Sequence, residues 1–292
     1  MSLVIFISGL LESNSGKTYF AKQLIRALVE DYSINVIPFK PLSGNNIFYH
    51  YDKIRDIVSR YGQLLSLDAI ELLSATSHGS DLDPLLINPV HQLHTQALGA
   101  RFYNDRHLDV FITKYLDSIP LVQRFSFYEN ESISSIYIVN NPIFNNEKFF
   151  VPKEQIQHIF ESAELIFYNT ELEYYSLNQK YYANAVQSTF SYLKKRFKAI
   201  VIESFNNSAH PAWCVREANV VLMVGPGTLF VFDPQEYFRV IDHLHLINNL
   251  TPTKTHDVVK LLKPKEVFEL PIGTEKLHKE LRALINTLLS FS

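Results

Sequence analysis

The apolar residues of the chain form short continuous runs, separated by longer segments in which they recur at helical spacing. The first run, LVIFIS at residues 3–8, is rich in branched residues, which is typical of a strand buried on both faces of a parallel sheet. A helix is predicted next, because apolar residues recur at helical spacing up to Asp31: Phe20, Leu24, Ile25, Leu28 and Val29. The chain therefore begins with a strand, a loop and a helix.

Further apolar runs predict strands at residues 34–39, 199–204, 219–225 and 266–270. Helical spacing is predicted over 52–77, 153–162, about 173–196, about 234–248 and 274–290. The segments KPLSGNN at 40–46 and HGSDLDPLLINPV at 78–90 are rich in Gly, Pro, Ser and Asn, and we interpret them as breaks between elements. Strands that alternate with helices indicate a three-layer α/β fold, with a mostly parallel central sheet and helices on both faces.

Residues 101–150 lack this alternation, although LVQRFSF and SSIYIVN within them could both be strands. We interpret this segment as an insertion in a single domain that covers residues 1–292. No repeat, low-complexity tract or linker marks a second domain.

The charge composition argues against polyanionic partners. The chain has a formal net charge of −3, and its Lys and Arg residues are scattered among acids, so nucleic acid and anionic membranes are not indicated as partners. Cys214 is the only cysteine, which excludes an internal disulfide. The first residues run directly into SLVIFIS without a basic segment, and this apolar run is far shorter than the roughly 20 residues of a membrane span, so we expect a soluble cytoplasmic protein.

Candidate chemistry begins at ISGLLESNSGKT, residues 7–18. Gly16 allows close backbone approach, Lys17 supplies a cation and Thr18 offers a hydroxyl to Mg²⁺ at the start of a helix. A helix N-terminus with inward N–H groups favours bound phosphate. The position after the first buried strand is the context that a phosphate-binding loop requires, although Leu11 stands where the usual spacing has a glycine.

Two further charged residues end predicted strands. Lys40 follows the second strand and Glu203 ends AIVIES at 199–204. Ligands of open parallel sheets gather outside the carboxyl ends of strands, so both side chains are expected beside the loop, with Glu203 as a metal ligand. The alternatives are a solvated lysine before a turn and a capping or salt-bridged glutamate.

The segment FNNSAHPAW, which follows Glu203 closely, combines amide, imidazole and indole groups. Asn206, Asn207 and His210 could contact a polar substrate, and Trp213 could stack on a ring. A loop with a packed tryptophan explains the same residues.

GLLESNSGKT, KPLSG and VIES, in this order, resemble dethiobiotin synthetase and the related cobyrinic acid diamide synthase branch of P-loop NTPases. The resemblance covers roughly residues 1–100 and 153–290 and implies the P-loop NTPase fold, ATP and Mg²⁺ as cofactors and a homodimer. It implies nucleotide binding by a loop that comprises Gly9, Glu12, Ser13, Asn14, Ser15, Gly16, Lys17 and Thr18.

The resemblance also implies that Thr18, Asp52 and Glu203 bind the metal, and that Lys17, Lys40 and Ser43 take part in catalysis. The family has Gly-Ala-Gly-Gly after the glutamate where this chain has Ser204-Phe205-Asn206-Asn207, so the substrate is left open. The gap from Gly9 to Gly16 is one residue longer than in the family; either the loop bulges or Leu10 takes the place of the glycine.

The function expected from these features is Mg²⁺-dependent phosphoryl transfer from ATP, as a ligase or kinase that acts on an unknown small molecule. The alternatives are an ATPase or GTPase switch that is read by a protein partner and a non-catalytic nucleotide-binding module.

Overall fold

The computed structural model describes residues 2–78, 81–160, 163–247, 253–271 and 274–289. The chain divides into two compact units. The first comprises residues 1–41, 68–87 and 190–292, and the second comprises 42–67 and 88–189. The second unit takes in the whole segment 101–150; the prediction of one domain with an insertion stays a prediction.

The described residues form strands and helices in a mixed order. The strands are β1 (Leu3–Gly9), β2 (Val36–Phe39), β3 (Leu42–Asn46), β4 (Val90–Thr95), β5 (Ile119–Glu129), β6 (Ser132–Asn140), β7 (Glu164–Tyr168), β8 (Ala199–Glu203), β9 (Val220–Gly225), β10 (Thr228–Phe232) and β11 (Glu266–Glu269). The helices are α1 (Lys17–Glu30), α2 (Tyr51–Tyr61), α3 (Leu67–Leu73), α4 (Pro84–Ile87), α5 (Gly99–Asn104), α6 (Leu108–Lys114), α7 (Asn141–Phe144), α8 (Lys153–Phe160), α9 (Glu171–Arg196), α10 (Pro234–Ile247), α11 (Thr255–Leu261) and α12 (Thr274–Leu289).

The first unit is built on a six-stranded sheet in the order β11-β10-β9-β1-β8-β2. The pairs β9/β1, β1/β8 and β8/β2 are parallel, and β10 pairs antiparallel with both of its neighbours. Every residue of β1, β2, β8 and β9 is buried, as the continuous apolar runs predict for central parallel strands. The mostly parallel sheet predicted from the sequence is thus present, with an antiparallel edge.

Helices cover both faces of this sheet. Ile5 and Ile7 of β1 share a core with apolar residues of α1 and α12. Phe6 points to the opposite face, because successive strand residues alternate, and its ring packs edge-on against Tyr237 of α10 at 6.3 Å between centroids. On the β2 side, Phe39 packs against Phe190 in the C-terminal part of α9 at 5.4 Å.

The second unit contains a five-stranded sheet in the order β3-β4-β5-β6-β7. It is mixed, with parallel pairs at β3/β4 and β6/β7 and antiparallel pairs at β4/β5 and β5/β6. Its core joins apolar residues of this sheet and of the helices packed on it, among them Leu93, Val122, Tyr137 and Ile156. The two strands proposed within 101–150 are confirmed as β5 and β6.

The prediction of breaks at 40–46 and 78–90 is wrong in part. Residues 42–46 form β3, although Leu-Ser-Gly-Asn-Asn has little strand propensity, because they pair in register with β4 from Leu42 and Val90 onward. The structure adds three strands that the apolar runs do not predict: β4, which carries polar residues, and β7 and β10. Residue 290, the end of the predicted last helix, lies outside the described residues.

No helix in the described part of the chain is both long and apolar enough to cross a bilayer.

Candidate functional site

The Gly-Lys-Thr loop, residues 9–18, connects the end of β1 to the start of α1. β1 lies between β8 and β9 and runs parallel to both, so the loop leaves the middle of the sheet at its carboxyl edge. Asn14 and Gly16 adopt positive φ angles of 57° and 82°, and Gly16 directly precedes the helix. The first turn of α1 contains no acidic side chain, which leaves the positive end of its dipole uncompensated there.

Gly9 is closely packed in this loop. A Cβ atom at Gly9 would lie 2.5 Å from Ser15 Oγ and 3.2 Å from Lys17 Cδ, so a side chain at this position would require Ser15 and Lys17 to shift. Leu11, by contrast, is 43% exposed. The longer gap between Gly9 and Gly16 allows two explanations. The close packing at Gly9 favours a bulged loop with Gly9 as its first glycine.

Two hydrogen bonds fix the base of the loop. The Thr255 hydroxyl donates to the Gly9 carbonyl at 2.6 Å, and the Leu10 N–H donates to the Val224 carbonyl at 2.9 Å. Above this base, Glu12, Ser13 and Asn14 are exposed and Ser15 is buried. Ser15 Oγ has no hydrogen-bond partner among the described residues. A buried hydroxyl without a partner costs free energy, so a bound polar ligand would stabilise it.

Glu203 is the centre of a polar cluster beside the loop. Its Oε1 accepts a hydrogen bond from Thr18 Oγ1 at 3.0 Å and from Lys40 Nζ at 2.5 Å. The sheet register explains the contact, because Phe39 and Ile202 are paired on the adjacent parallel strands β2 and β8. The residues that follow them, Lys40 and Glu203, therefore meet at the carboxyl edge. The structure thus brings Thr18, Lys40 and Glu203 together, as the sequence predicts.

Asp68 completes this cluster, and sequence reasoning missed it. Its Oδ2 lies 3.0 Å from Lys40 Nζ, and it belongs to the first turn of the short helix α3. The only local signal is an acidic residue at the start of an apolar helical segment, which is a common capping arrangement. Its contact with Lys40 depends on tertiary structure, which the local sequence does not encode.

The electrostatics of the two lysines differ. Burial lowers the pKa of Lys17, although the Glu203 carboxylate opposes this effect. Burial would also lower the pKa of Lys40, but the adjacent carboxylates of Glu203 and Asp68 outweigh it and raise that pKa above its ordinary value. Lys40 is therefore a firmly held ammonium, whereas Lys17 is a partly desolvated cation with no ion pair in the described structure.

The oxygen donors present fit a magnesium ion. Glu203 Oε2 is buried and has no hydrogen-bond partner among the described residues, and the Thr18 hydroxyl lies beside the same carboxylate. Mg²⁺ prefers oxygen ligands and usually retains waters and substrate phosphates, so one or two protein oxygens suffice. No group of three His, Cys, Asp or Glu side chains arranged to hold a metal occurs within the described ranges. The set therefore suits a metal that shares its ligands with a phosphate.

Ser43 and Asp52 belong to the second unit. Ser43 is buried on β3, and its Oγ lies 2.9 Å from Asn88 Oδ1 and 2.7 Å from His91 Nδ1. Asp52 is exposed on α2 and pairs with Arg55 at 3.2 Å. Their predicted roles in catalysis and metal binding stay predictions.

The three residues predicted to contact substrate occupy different environments. Asn206 has a positive φ of 48°, and Asn207 is buried, with its carbonyl accepting the Thr255 N–H at 2.9 Å. The His210 Nε2 accepts from Arg216 Nε at 3.2 Å, and burial, reinforced by Arg216, lowers the pKa of His210 to about 4. His210 is therefore neutral at pH 7. Trp213 packs edge-on against Phe190 at 5.8 Å, which favours the reading of a packed tryptophan.

No protein-family model matches this sequence, and no curated protein matches it significantly.

Proposed function

We propose that this protein has a P-loop NTPase fold, binds ATP with Mg²⁺ at the Gly-Lys-Thr loop and transfers the terminal phosphoryl group. The observation that carries the proposal is the convergence of Lys17, Thr18, Lys40 and Glu203 at the carboxyl ends of the parallel strands of one sheet, beside a loop that packs closely at Gly9. Lys17 and Thr18 are adjacent, but Lys40 and Glu203 come from distant parts of the sequence. Together the four residues offer the cations and oxygen ligands that phosphate and its metal require. A single Gly-Lys-Thr triplet would be much weaker support.

Lys17 would bind the β- and γ-phosphate oxygens, because its ammonium is half-buried and unpaired in the described structure. The N-terminus of α1 adds N–H donors and a favourable dipole for the same anions. The exposed residues Glu12, Ser13 and Asn14 would border the phosphates, and buried Ser15 would offer its hydroxyl to them.

Thr18 and Glu203 would hold Mg²⁺, and Asp68 is a further carboxylate, in contact with Lys40. A bound Mg²⁺ supplies charge neutralisation for the phosphate oxygens. Lys40 stands at the carboxyl end of the neighbouring strand and would orient and neutralise the transferred group. Phosphoryl transfer depends mainly on positioning and electrostatics, which two lysines and a metal can provide.

The reaction class follows from the resemblance to dethiobiotin synthetase and remains part of the proposal. We infer an ATP-dependent ligase or kinase that acts on a small molecule in the cytoplasm. Asn206, Asn207 and His210 border the end of β8 in sequence, and they are the candidates for substrate contact. At pH 7 His210 would contribute as a neutral hydrogen-bonding group, not as a cation.

Phosphate release from ATP, measured with Mg²⁺ against pools of small carboxylates and amines, tests this function. We expect Lys17→Ala to abolish nucleotide binding and turnover, and Lys40→Ala to retain binding and lose turnover. Full turnover by Lys40→Ala would contradict its role. Stimulation by a protein, with none by small molecules, would favour a switch, and nucleotide binding without phosphate release would favour a non-catalytic module.

A further inference from the structure

Lys40 forms ion pairs with two carboxylates beside the proposed metal ligands. Its Nζ lies 2.5 Å from Glu203 Oε1 and 3.0 Å from Asp68 Oδ2, and its side chain is only 3% exposed. Glu203 is completely buried and Asp68 is 47% exposed, so the ammonium lies between a closed side and an open side of the cluster.

The charges of this cluster balance without any ligand. The carboxylates of Glu203 and Asp68 oppose the ammonium groups of Lys40 and Lys17, and both carboxylates interact electrostatically with both lysines. A divalent cation entering alone would add two positive charges beside two ammonium groups. Like charges that lie close together in a poorly solvated site repel strongly, so binding of the divalent cation alone is unfavourable.

A polyphosphate changes this balance. It brings several negative charges to the loop, and these attract both the lysines and a divalent cation. The side chain of Lys40 is a flexible four-carbon stem that ends in a compact point charge, so it can turn from a carboxylate toward a phosphate. Both carboxylate oxygens of Glu203, Oε1 released by Lys40 and the buried Oε2, would then face a cation.

We propose that Lys40 is an internal counter-ion that holds Glu203 and Asp68 in the nucleotide-free protein and keeps a divalent cation out until a polyphosphate binds. This inference rests on the proposed function for the nature of the ligand. The exclusion of metal from the nucleotide-free protein does not depend on it. The site therefore binds its metal only together with the nucleotide.

The test is a titration of the nucleotide-free protein with Mn²⁺. Electron paramagnetic resonance measures how much of the ion remains free. Lys40→Met retains the apolar stem and removes the charge, and we expect it to bind Mn²⁺ at least about tenfold more tightly than the wild type, an ordinary size for coupling between two sites. Lys40→Arg keeps the charge and should bind as weakly as the wild type. Lys53→Met, on an exposed lysine of α2, should also match the wild type.

Lys40→Met combined with Glu203→Gln should lose the gained Mn²⁺ affinity, which would assign the metal to this cluster. Lys40→Met leaves Glu203 buried without its cation, so we expect this variant to be less stable than the wild type. The same comparison is then made by thermal unfolding, where Mn²⁺ should raise the Tm of Lys40→Met and not that of the wild type. Equal Mn²⁺ affinity, or an equal Tm shift, in both proteins would overturn the proposal.

This experiment contains no nucleotide, so it succeeds or fails separately from the proposed function. A separate titration with a fluorescent ATP analogue tests that function. If no nucleotide binds but Lys40→Met gains Mn²⁺ affinity, the proposed function fails and the counter-ion role of Lys40 stands.

Discussion

Gly9 and Ser15 are six positions apart in sequence and in direct contact in the loop, where a Cβ atom on Gly9 would lie 2.5 Å from Ser15 Oγ. The loop therefore packs closely at Gly9, although it has no glycine at position 11, and Gly16 directly precedes α1.

Gly9→Ala should therefore disrupt the loop. The added methyl group must displace Ser15 and Lys17, and overpacking of this kind costs about 1–3 kcal/mol. We expect a lower Tm and loss of nucleotide binding, measured by thermal unfolding and by titration with a fluorescent nucleotide. Leu11→Gly, at the exposed position where the usual spacing has its glycine, is the control and should retain nucleotide affinity. Equal affinity in Gly9→Ala and the wild type would show that the contact does not shape the site.

The parallel-strand part of the fold and much of the site could be predicted from sequence. The runs at β1, β2, β8 and β9 are continuous and apolar because both faces are buried, and polar residues at their carboxyl ends must meet if the strands are neighbours. The contact between Lys40 and Glu203 follows from that rule.

The rest depends on partners that lie far away in sequence. β3 is a strand because β4 pairs with it, and its own residues would be equally compatible with a turn. Asp68 lies 28 positions after Lys40, and nothing between them indicates that their side chains meet. Ser15 is buried by the packing of the loop against Gly9, which the sequence pattern does not show.

The ion pair between Lys40 and Glu203 should contribute strongly to stability when only one partner is removed. Lys40→Met leaves a buried carboxylate without its cation, and such a change costs about 3–5 kcal/mol in the free energy of unfolding. The double variant Lys40→Met with Glu203→Gln should recover most of this loss, because the buried carboxylate is then neutral and Asp68, which also loses Lys40, is 47% exposed to solvent. Urea denaturation of Lys40→Met, Glu203→Gln and the double variant measures these losses. Additive losses in the double variant would contradict the coupling.

The same ion pair predicts a dependence on alkaline pH. The pKa of Lys40 is raised in the folded protein, so its stabilising contribution is present below the ordinary lysine value of about 10.4 and is lost as the pH rises through the folded value. The difference in unfolding free energy between the wild type and Lys40→Met should therefore shrink only at strongly alkaline pH. A difference that already shrinks between pH 7 and 9 would not fit a raised pKa.

Lys17 should show the opposite behaviour. Its pKa is lowered by burial, so between the folded value and the ordinary one the unfolded chain binds more protons, and stability rises with pH across that window. Lys17→Met should accordingly leave the Tm of the nucleotide-free protein unchanged or higher while it abolishes nucleotide binding. A large fall in Tm would indicate that Lys17 is structural. Lys22→Met is the matched control. Lys22 lies on the same helix but, unlike Lys17, it has an ion pair, with Glu71 at 2.8 Å.

His210 should make the protein less stable in mild acid. Its pKa of about 4 lies below the ordinary value of about 6.5, so the unfolded chain takes up a proton that the folded protein resists, and stability falls as the pH drops from about 6.5 toward 4. His210→Gln should reduce this fall, as measured by urea denaturation at several pH values. His243→Gln, at an exposed histidine of α10, is the control and should leave the fall as in the wild type. An unchanged acid profile in His210→Gln would contradict the lowered pKa.

Nucleotide binding at the Gly-Lys-Thr loop is tested by isothermal titration of the wild type and Lys17→Ala with ATP, GTP and CTP in the presence of Mg²⁺, supported by thermal shifts. We expect the wild type to bind ATP, with a stabilisation of about 2.7 kcal/mol when the free nucleotide is about 100 times its Kd, and Lys17→Ala to bind none. Failure of every nucleotide to bind the wild type, or equal binding by Lys17→Ala, would contradict this expectation.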